Sequence, residues 1–198
     1  MESFNRAVNN PPPSKNTLMD PVSERGAVLA HVKDAVTLLE QSMNANLVPP
    51  EGAQIGYAIR GARDAGGIAA VEGRISVRGG NVQASGPCSF GADEEISRIL
   101  LTVMKFDPRR RSAALLRFSD RALKVLDENL FLECVPYDGG VAPQGISSMD
   151  WGIASCCKKG VPDVIYPRGS GITDAWLLLL GEKPADVANN IIICSNRI

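Results

Sequence analysis

Histidine is all but missing from this sequence: His31 is the one copy among 198 residues. Serine- or cysteine-based nucleophilic chemistry needs an imidazole beside the nucleophile, and no such set assembles around residue 31. His31 itself sits beside the apolar face of a predicted helix, where a packed or solvated side chain is the simpler reading. The five cysteines, Cys88, Cys134, Cys156, Cys157 and Cys194, are odd in number and contain no Cys-x-x-Cys. A zinc site would need mixed ligands at unhelpful spacing, so these are read as buried or inert thiols and no metal site is assigned. No apolar run approaches the roughly 18 to 20 residues that span a bilayer. The longest candidate, Ala175 to Gly181, fits a buried strand instead. A net charge of −1 gives no overall bias toward nucleic acid or an anionic membrane. Walker and Rossmann glycine patterns are missing, as is a basic-then-apolar leader. What remains is a cytoplasmic globular protein.

What the sequence does have is glycine and arginine together. Between Val48 and Ser112 glycines recur, among them Gly52, Gly61, Gly73, Gly86 and Gly91, with Arg60, Arg63, Asp64, Arg74 and Arg78 between them. Glycine lets backbone approach a ligand closely, and arginine presents a planar fork of donors suited to phosphate. This composition points to a small-molecule site for an anionic, phosphorylated ligand.

Residues 1 to 25 are polar and aperiodic, with a Pro11-Pro12-Pro13 run, and read as a disordered tail before a single domain over 26–198. Val28, Val32, Ala35, Val36, Leu39 and Met43 mark one face of a helix over about 27–44. Ile55, Tyr57 and Ile59 alternate as a strand, and Gly61 to Gly67 reads as a loop. A β-hairpin turns on Gly79-Gly80-Asn81. Acids at 93 to 95 open a helix over about 92–105. A strand over 113–118 follows, then a helix over 120–129 capped by Ser119, then a strand over 131–135. Ser147 and Asp150 resemble a capping box for a helix ending near Gly160. Strands over 162–166 and 175–180 precede a last helix with Pro184 at its first position. This mixture predicts an α/β fold with a mixed sheet covered by helices.

Arg63 could hold a phosphate, with Asp64 fixing the arginine or a ligand hydroxyl; a surface ion pair is the alternative. Arg74, at a strand start beside Gly73, invites the same two readings. Gly86-Pro87 and Phe90-Gly91 lead into a helix N-terminus, where free N–H groups can bind an anion. Asp93, Glu94 and Glu95 already put negative charge there, which argues against phosphate at that helix. The one basic cluster, Arg109-Arg110-Arg111 with Lys105, Arg117 and Arg121 nearby, lacks interleaved aromatics beyond Phe106 and Phe118, and reads as a solvated turn rather than a nucleic-acid surface.

Longer segments carry a resemblance. LVPPEGAQIGYAIRGARD, VEGRI with a following VRGG, SGPCSFGA, LLTVMKFDP, SSMDWG, GVPDVIY and LGEKPADVA resemble, in that order, the ThiN-type thiamine-phosphate synthase domain often fused behind hydroxymethylpyrimidine-phosphate kinase. The resemblance implies a three-layer α/β/α fold with a mixed, largely antiparallel sheet, similar to class II aldolase-like domains. It implies that hydroxymethylpyrimidine diphosphate is coupled to thiazole phosphate, giving thiamine phosphate and pyrophosphate. It makes Arg74 the match to an arginine of synthase-competent relatives, and Glu95 the occupant of a position where they carry histidine. Leu115 stands where asparagine is usual. On this basis Arg74 and Glu95 are the candidate catalytic residues. Gly61, Arg63, Asp64, Gly86, Gly91, Arg117, Asp150 and Asp163 are the candidate substrate-binding residues. Mg²⁺ bridging the diphosphate is the one cofactor to be considered, without a dedicated motif. The partner implied is a phosphorylated small molecule, with no nucleic acid and no membrane, and a homo-oligomer stays open. Because some relatives only sense thiamine phosphate, a non-catalytic binding domain is the alternative function.

Overall fold

The computed structural model describes residues 21–137, 142–168 and 175–198. Helix α1 (Pro21–Ser42) leads the domain. Its stripe Val28, Val32, Ala35, Val36 and Leu39 is buried, continued by Met43, as the periodicity predicts. The helix starts earlier than expected. Residues 21 to 25 lack apolar periodicity but gain tertiary anchors: Glu24 accepts from the backbone N–H of Arg60 at 2.9 Å, and Arg25 donates to the carbonyl of Gly66 at 2.9 Å. The triple-proline run lies outside the described residues.

Seven strands form one sheet: β1 (Gln54–Ala58), β2 (Ile68–Val71), β5 (Cys88–Phe90), β6 (Ser112–Arg117), β7 (Cys134–Tyr137), β8 (Val164–Pro167) and β9 (Trp176–Gly181). Their order is β5-β2-β1-β6-β9-β8-β7, antiparallel except for the β7–β8 pair. Strands β3 (Ile75–Arg78) and β4 (Asn81–Ala84) make the expected hairpin, with Gly79 and Gly80 at φ 57° and 83°. On one face of the sheet α1 packs with α5 (Pro184–Ser195); on the other lie α2 (Glu94–Val103) and α4 (Ser148–Cys156). Strand β9 shows why the sheet is a middle layer. Leu177 and Leu179 enter the α1–α5 core, while Leu178 and Leu180 enter the α2–α4 core. A strand buried on both faces carries no polar alternation.

The remaining differences from the sequence reading are local. Strand β2 is the buried run Ile-Ala-Ala-Val, which has no period-2 signal, and β5 is a three-residue edge strand; neither was foreseen. The strand expected over 131–135 is shifted to 134–137 because Phe131, at φ 53° and exposed, belongs to the turn before it. The helix over 120–129 divides into α3 (Asp120–Lys124), capped by Ser119 as expected, and a π turn over Val125–Asn129. Helix α4 stops at Cys156, short of Gly160, and Ser147 makes no side-chain cap bond.

Strand directions give the sheet two ends. Gln54, Val71, Arg117, Trp176 and Tyr137 mark one, the Arg117 end. Ala58, Ile68, Ser112, Gly181 and Cys134 mark the other, the Gly181 end. Strand β6 alone spans six residues between them, about 17 Å at roughly 3.3 Å per residue.

Candidate functional site

At the Arg117 end a polar chain runs outward from the core. Gln54 is 1% exposed, a polar residue in a buried strand. Its amide oxygen accepts from the N–H of Val71 at 3.1 Å, and its amide nitrogen donates to the Val71 carbonyl at 2.9 Å. The side chain thus replaces a ladder pair where β1 and β2 part. The same nitrogen donates to Asp93 Oδ2 at 3.2 Å. Asp93 is the N-cap of α2, its Oδ1 accepting from the N–H of Ile96 at 2.9 Å. Its Oδ2 also accepts from Arg74 Nε at 3.0 Å, and Arg74 Nη2 reaches Glu95 Oε2 at 2.5 Å.

Arg74 is therefore held from behind and from one side. Its φ of 65° is unusual for a residue with a side chain, and Gly52, at φ 97°, makes room for it. A Cβ on Gly52 would lie 2.9 Å from Arg74 Cβ and 3.0 Å from the carbonyl of Ile75. Backbone strain of this kind costs about 1–3 kcal/mol and concentrates at functional sites. Burial by itself would lower the Arg74 pKa. The Glu95 hydrogen bond and the charges of Asp93 and Glu95 outweigh it and raise the pKa, so the guanidinium is fixed as a cation. Two of its five N–H donors are engaged by these carboxylates, and its side chain keeps 20% exposure.

Other expected residues share this end. Gly86 backs onto Glu72, whose carbonyl would lie 2.8 Å from a Cβ there. Asp150, in the first turn of α4, pairs with Arg98 of α2 at 2.7 Å, and that contact raises the Arg98 pKa. Arg117 is exposed at the end of β6, lining a cleft of about 400 Å³ with Asn46, Pro49 and Ser76. Trp176, opposite Arg117 in the sheet, meets the Tyr137 ring edge-on at 5.2 Å.

The remaining expected residues are elsewhere. Gly61, Arg63 and Asp64 lie at the Gly181 end, on the loop from β1 to β2. No ion pair joins Arg63 to Asp64 among the described residues. The N–H of Gly91 donates to the carbonyl of Ile68, the first residue of β2, at 2.9 Å. Asp163 is occupied as a structural clasp, accepting from Arg110 Nη1 at 2.9 Å and from the N–H of Glu133 at 3.0 Å. Gly61, Arg63, Asp64 and Asp163 are thus set at the opposite sheet end from Arg74, whereas Gly91 is two residues before Asp93, whose carboxylate accepts from Arg74. Sequence clustering brought them together because a tight β1–β2 loop packs glycine and arginine densely without turning them toward Arg74.

The fold coincides with that of known proteins. The ThiN family, described as thiamine-phosphate synthase ThiN, matches residues 31–193. The chain belongs to the ThiN family. It is 30% identical over 167 residues to the bifunctional thiamine biosynthesis protein ThiDN of Methanocaldococcus jannaschii, covering 83% of this chain and 39% of that protein. The thiamine-phosphate synthase ThiN of Methanothermobacter thermautotrophicus is 27% identical over 128 residues, 61% of this chain and 67% of that one. The solved C-terminal domain of a phosphomethylpyrimidine kinase superposes with a TM-score of 0.78 at 28% identity, over 86% of this chain and all of that domain. An aldolase II superfamily protein from Pseudomonas syringae, 8% identical with a TM-score of 0.51, covers 89% of this chain and 75% of that chain and shares the fold alone.

Within the ThiN domain, the residues that sequence reasoning passed over are Gln54 and Asp93. In the sequence Asp93 reads as one more acid in a helix's first turn, although an Asp at N-cap has a geometric task. Gln54 had a signal: an amide inside Ala-Gln-Ile-Gly-Tyr, where an apolar residue would fit a strand buried on both faces. The described residues contain no group of three or more His, Cys, Asp or Glu able to hold a metal. Asp93 and Glu95 are both turned to Arg74, so this donor set does not make a protein-held Mg²⁺ site, and no step is routed through one. No helix of the described residues is long and apolar enough to cross a membrane.

Proposed function

We propose that this ThiN domain is a cytoplasmic thiamine-phosphate synthase, with Arg74 as the group that receives the diphosphate of hydroxymethylpyrimidine diphosphate. The observation that carries the reading is the Gln54–Asp93–Arg74 chain in a member of this family. It fixes a strained, permanently charged guanidinium at the same sheet end as Arg117 and Asp150. Once the part-exposed Glu95 turns to water, a guanidinium held in place in this way stabilises a leaving anion as the bond breaks. The thiazole nitrogen attacks the pyrimidine methylene with its lone pair. A C–N bond forms, the C–O bond breaks, and the electron pair leaves with pyrophosphate. The bond-making step moves no proton, so a site without histidine can carry it. Arg117, exposed and unpaired among the described residues, suits the phosphate of the thiazole. The rest is positioning of two reactants.

Glu95 favours a second reading, a non-catalytic thiamine-phosphate binder. Its carboxylate occupies the donor of Arg74 that a diphosphate would use. Purified protein given both substrates separates the two. Thiamine phosphate formed in proportion to enzyme, and lost in Arg74→Ala, supports the synthase. Saturable binding of thiamine phosphate without product supports the binder.

A further inference from the structure

The basic run at 109 to 111 has no part in the site above. Folding does not leave it a simple solvated turn. Arg109 and Arg111 line a cleft of about 360 Å³ at the Gly181 end, together with Arg60 from the β1–β2 loop and Lys183 from just before α5. A second cleft of about 400 Å³ adjoins it through the shared residues Gly61 and Pro108, and adds Arg63 and Lys105. Glu182 is the one carboxylate among the lining residues of the two. The charges are not all spent. Arg109 is paired with Asp107 at 3.0 Å, and Glu24 approaches Arg111 at 3.4 Å and Arg60 at 3.8 Å. Arg63, Lys105 and Lys183 are exposed and make no ion pair with any described residue. In a chain of net charge −1, this is a local concentration of one sign.

The two clefts differ in chemistry. The first holds the better-braced cation: Arg111, with 15% of its side chain exposed, donates to the Tyr57 hydroxyl at 2.6 Å and the Ala58 carbonyl at 3.0 Å, and lies 4.7 Å above the Tyr57 ring. The second has an apolar floor, because Ala62, Leu101 and Met104 are partly buried edges of the α2–α4 core. A ligand fitting both carries negative charge at one end and an apolar body at the other.

We propose that this groove is a second binding site, separate from Arg74, for an organic phosphate. The phosphate or diphosphate lies among Arg60, Arg111 and Lys183, and the apolar body rests on Leu101 and Met104. The inference stands on the groove alone, so it survives failure of the synthase reading. The groove lies at the Gly181 end of the sheet and Arg74 at the Arg117 end, so occupancy does not block the first site.

Titration calorimetry with inorganic pyrophosphate and with a nucleoside diphosphate tests it, using wild type, Arg74→Ala and the double variant Arg60→Ala/Lys183→Ala. Both altered groove residues are exposed, and an unchanged melting curve checks their fold. Arg74→Ala is expected to keep one equivalent of nucleoside diphosphate binding in 0.15 M KCl. The groove variant is expected to weaken that binding at least tenfold while leaving any pyrophosphate bound at Arg74. The nucleoside diphosphate is expected to bind Arg74→Ala more tightly than pyrophosphate does. Undiminished binding in the groove variant, or binding that vanishes at 0.15 M KCl, overturns the proposal. Equal affinity for pyrophosphate and the nucleoside diphosphate removes the apolar half of the site and overturns the proposal in this form.

Discussion

Glu95 decides how Arg74 behaves. Two carboxylates around one guanidinium leave a local charge of −1, which opposes any diphosphate. Asp93 cannot leave, because it caps α2 and holds Gln54. Glu95 has 40% of its side chain exposed and can turn to water. Glu95→His is therefore expected to tighten binding of the pyrimidine diphosphate, since one charge-assisted hydrogen bond gained is worth roughly 1.5–3 kcal/mol, or about ten- to a hundredfold. Calorimetry at pH 6 and pH 8 checks this, with the larger gain at pH 6, where more of the imidazole is protonated. Arg74→Ala should lose binding by a comparable factor. Gln54→Leu is expected to fail differently. It strands the N–H of Val71 in the core and leaves the Val71 carbonyl only the longer bond from the Arg74 N–H at 3.4 Å, and an unsatisfied buried group costs about 1–3 kcal/mol. A lower denaturant midpoint should accompany weaker ligand binding, whereas Arg74→Ala should lower the midpoint less, because Asp93 keeps its bonds from Gln54 and the Ile96 N–H.

Elements differ in how openly they announced themselves. Helix α2 was legible from its acids followed by Ile96, Ile99, Leu100 and Val103, all of them fully buried. Helix α5 was legible from Pro184, and the β3–β4 hairpin from its glycine pair. Strand β2 was not, because four buried residues in a row carry neither helix nor strand periodicity, and its place is set by pairing with β1 and β5. The site was legible to the extent that Arg74 and Glu95 stand together. The split of the other residues between two sheet ends was not, because sequence proximity says nothing about which way a strand runs. Helix α4 offers a test at this scale. Gly152 lies against Tyr137, and a Cβ added there would collide with the Tyr137 ring at Cε2. Gly152→Ala must displace the ring and so disturb its edge contact with Trp176, and overpacking of this kind costs about 1–3 kcal/mol. A changed tryptophan fluorescence spectrum with a lowered melting temperature is the expected result. An unchanged spectrum would mean that α4 does not pack on β7 as described.

Across the molecule, the thiols set an alkaline limit. Burial pushes Cys134 and Cys157 up to about 12 and Cys194 up to about 11, from an ordinary 9.0. Between those values the unfolded chain has released protons that the folded chain still holds, so rising pH favours unfolding. The stability these thiols contribute is intact below pH 9 and is lost progressively toward pH 11 to 12. Melting temperatures are expected to fall above pH 9. Cys157→Ala should fall less steeply than wild type over that window, although its stability at pH 7 is lower for the lost packing. Parallel slopes for the two proteins would remove Cys157 from this account.

Helices α1 and α5 run in the same direction on one face. The first turn of α1 touches Arg60 and Arg111 at the Gly181 end. The last residue of α5's tail, Ile198, lies beside Arg117 and Arg121 at the opposite end. The start of α1 and the end of α5 therefore lie at opposite poles of the sheet. A probe attached in the first turn of α1 lies beside the basic groove, and one attached at Ile198 lies in the neighbourhood of Arg117. Two dyes attached in this way on one molecule would report a ligand bound at either end as a separate signal, each read at its own colour.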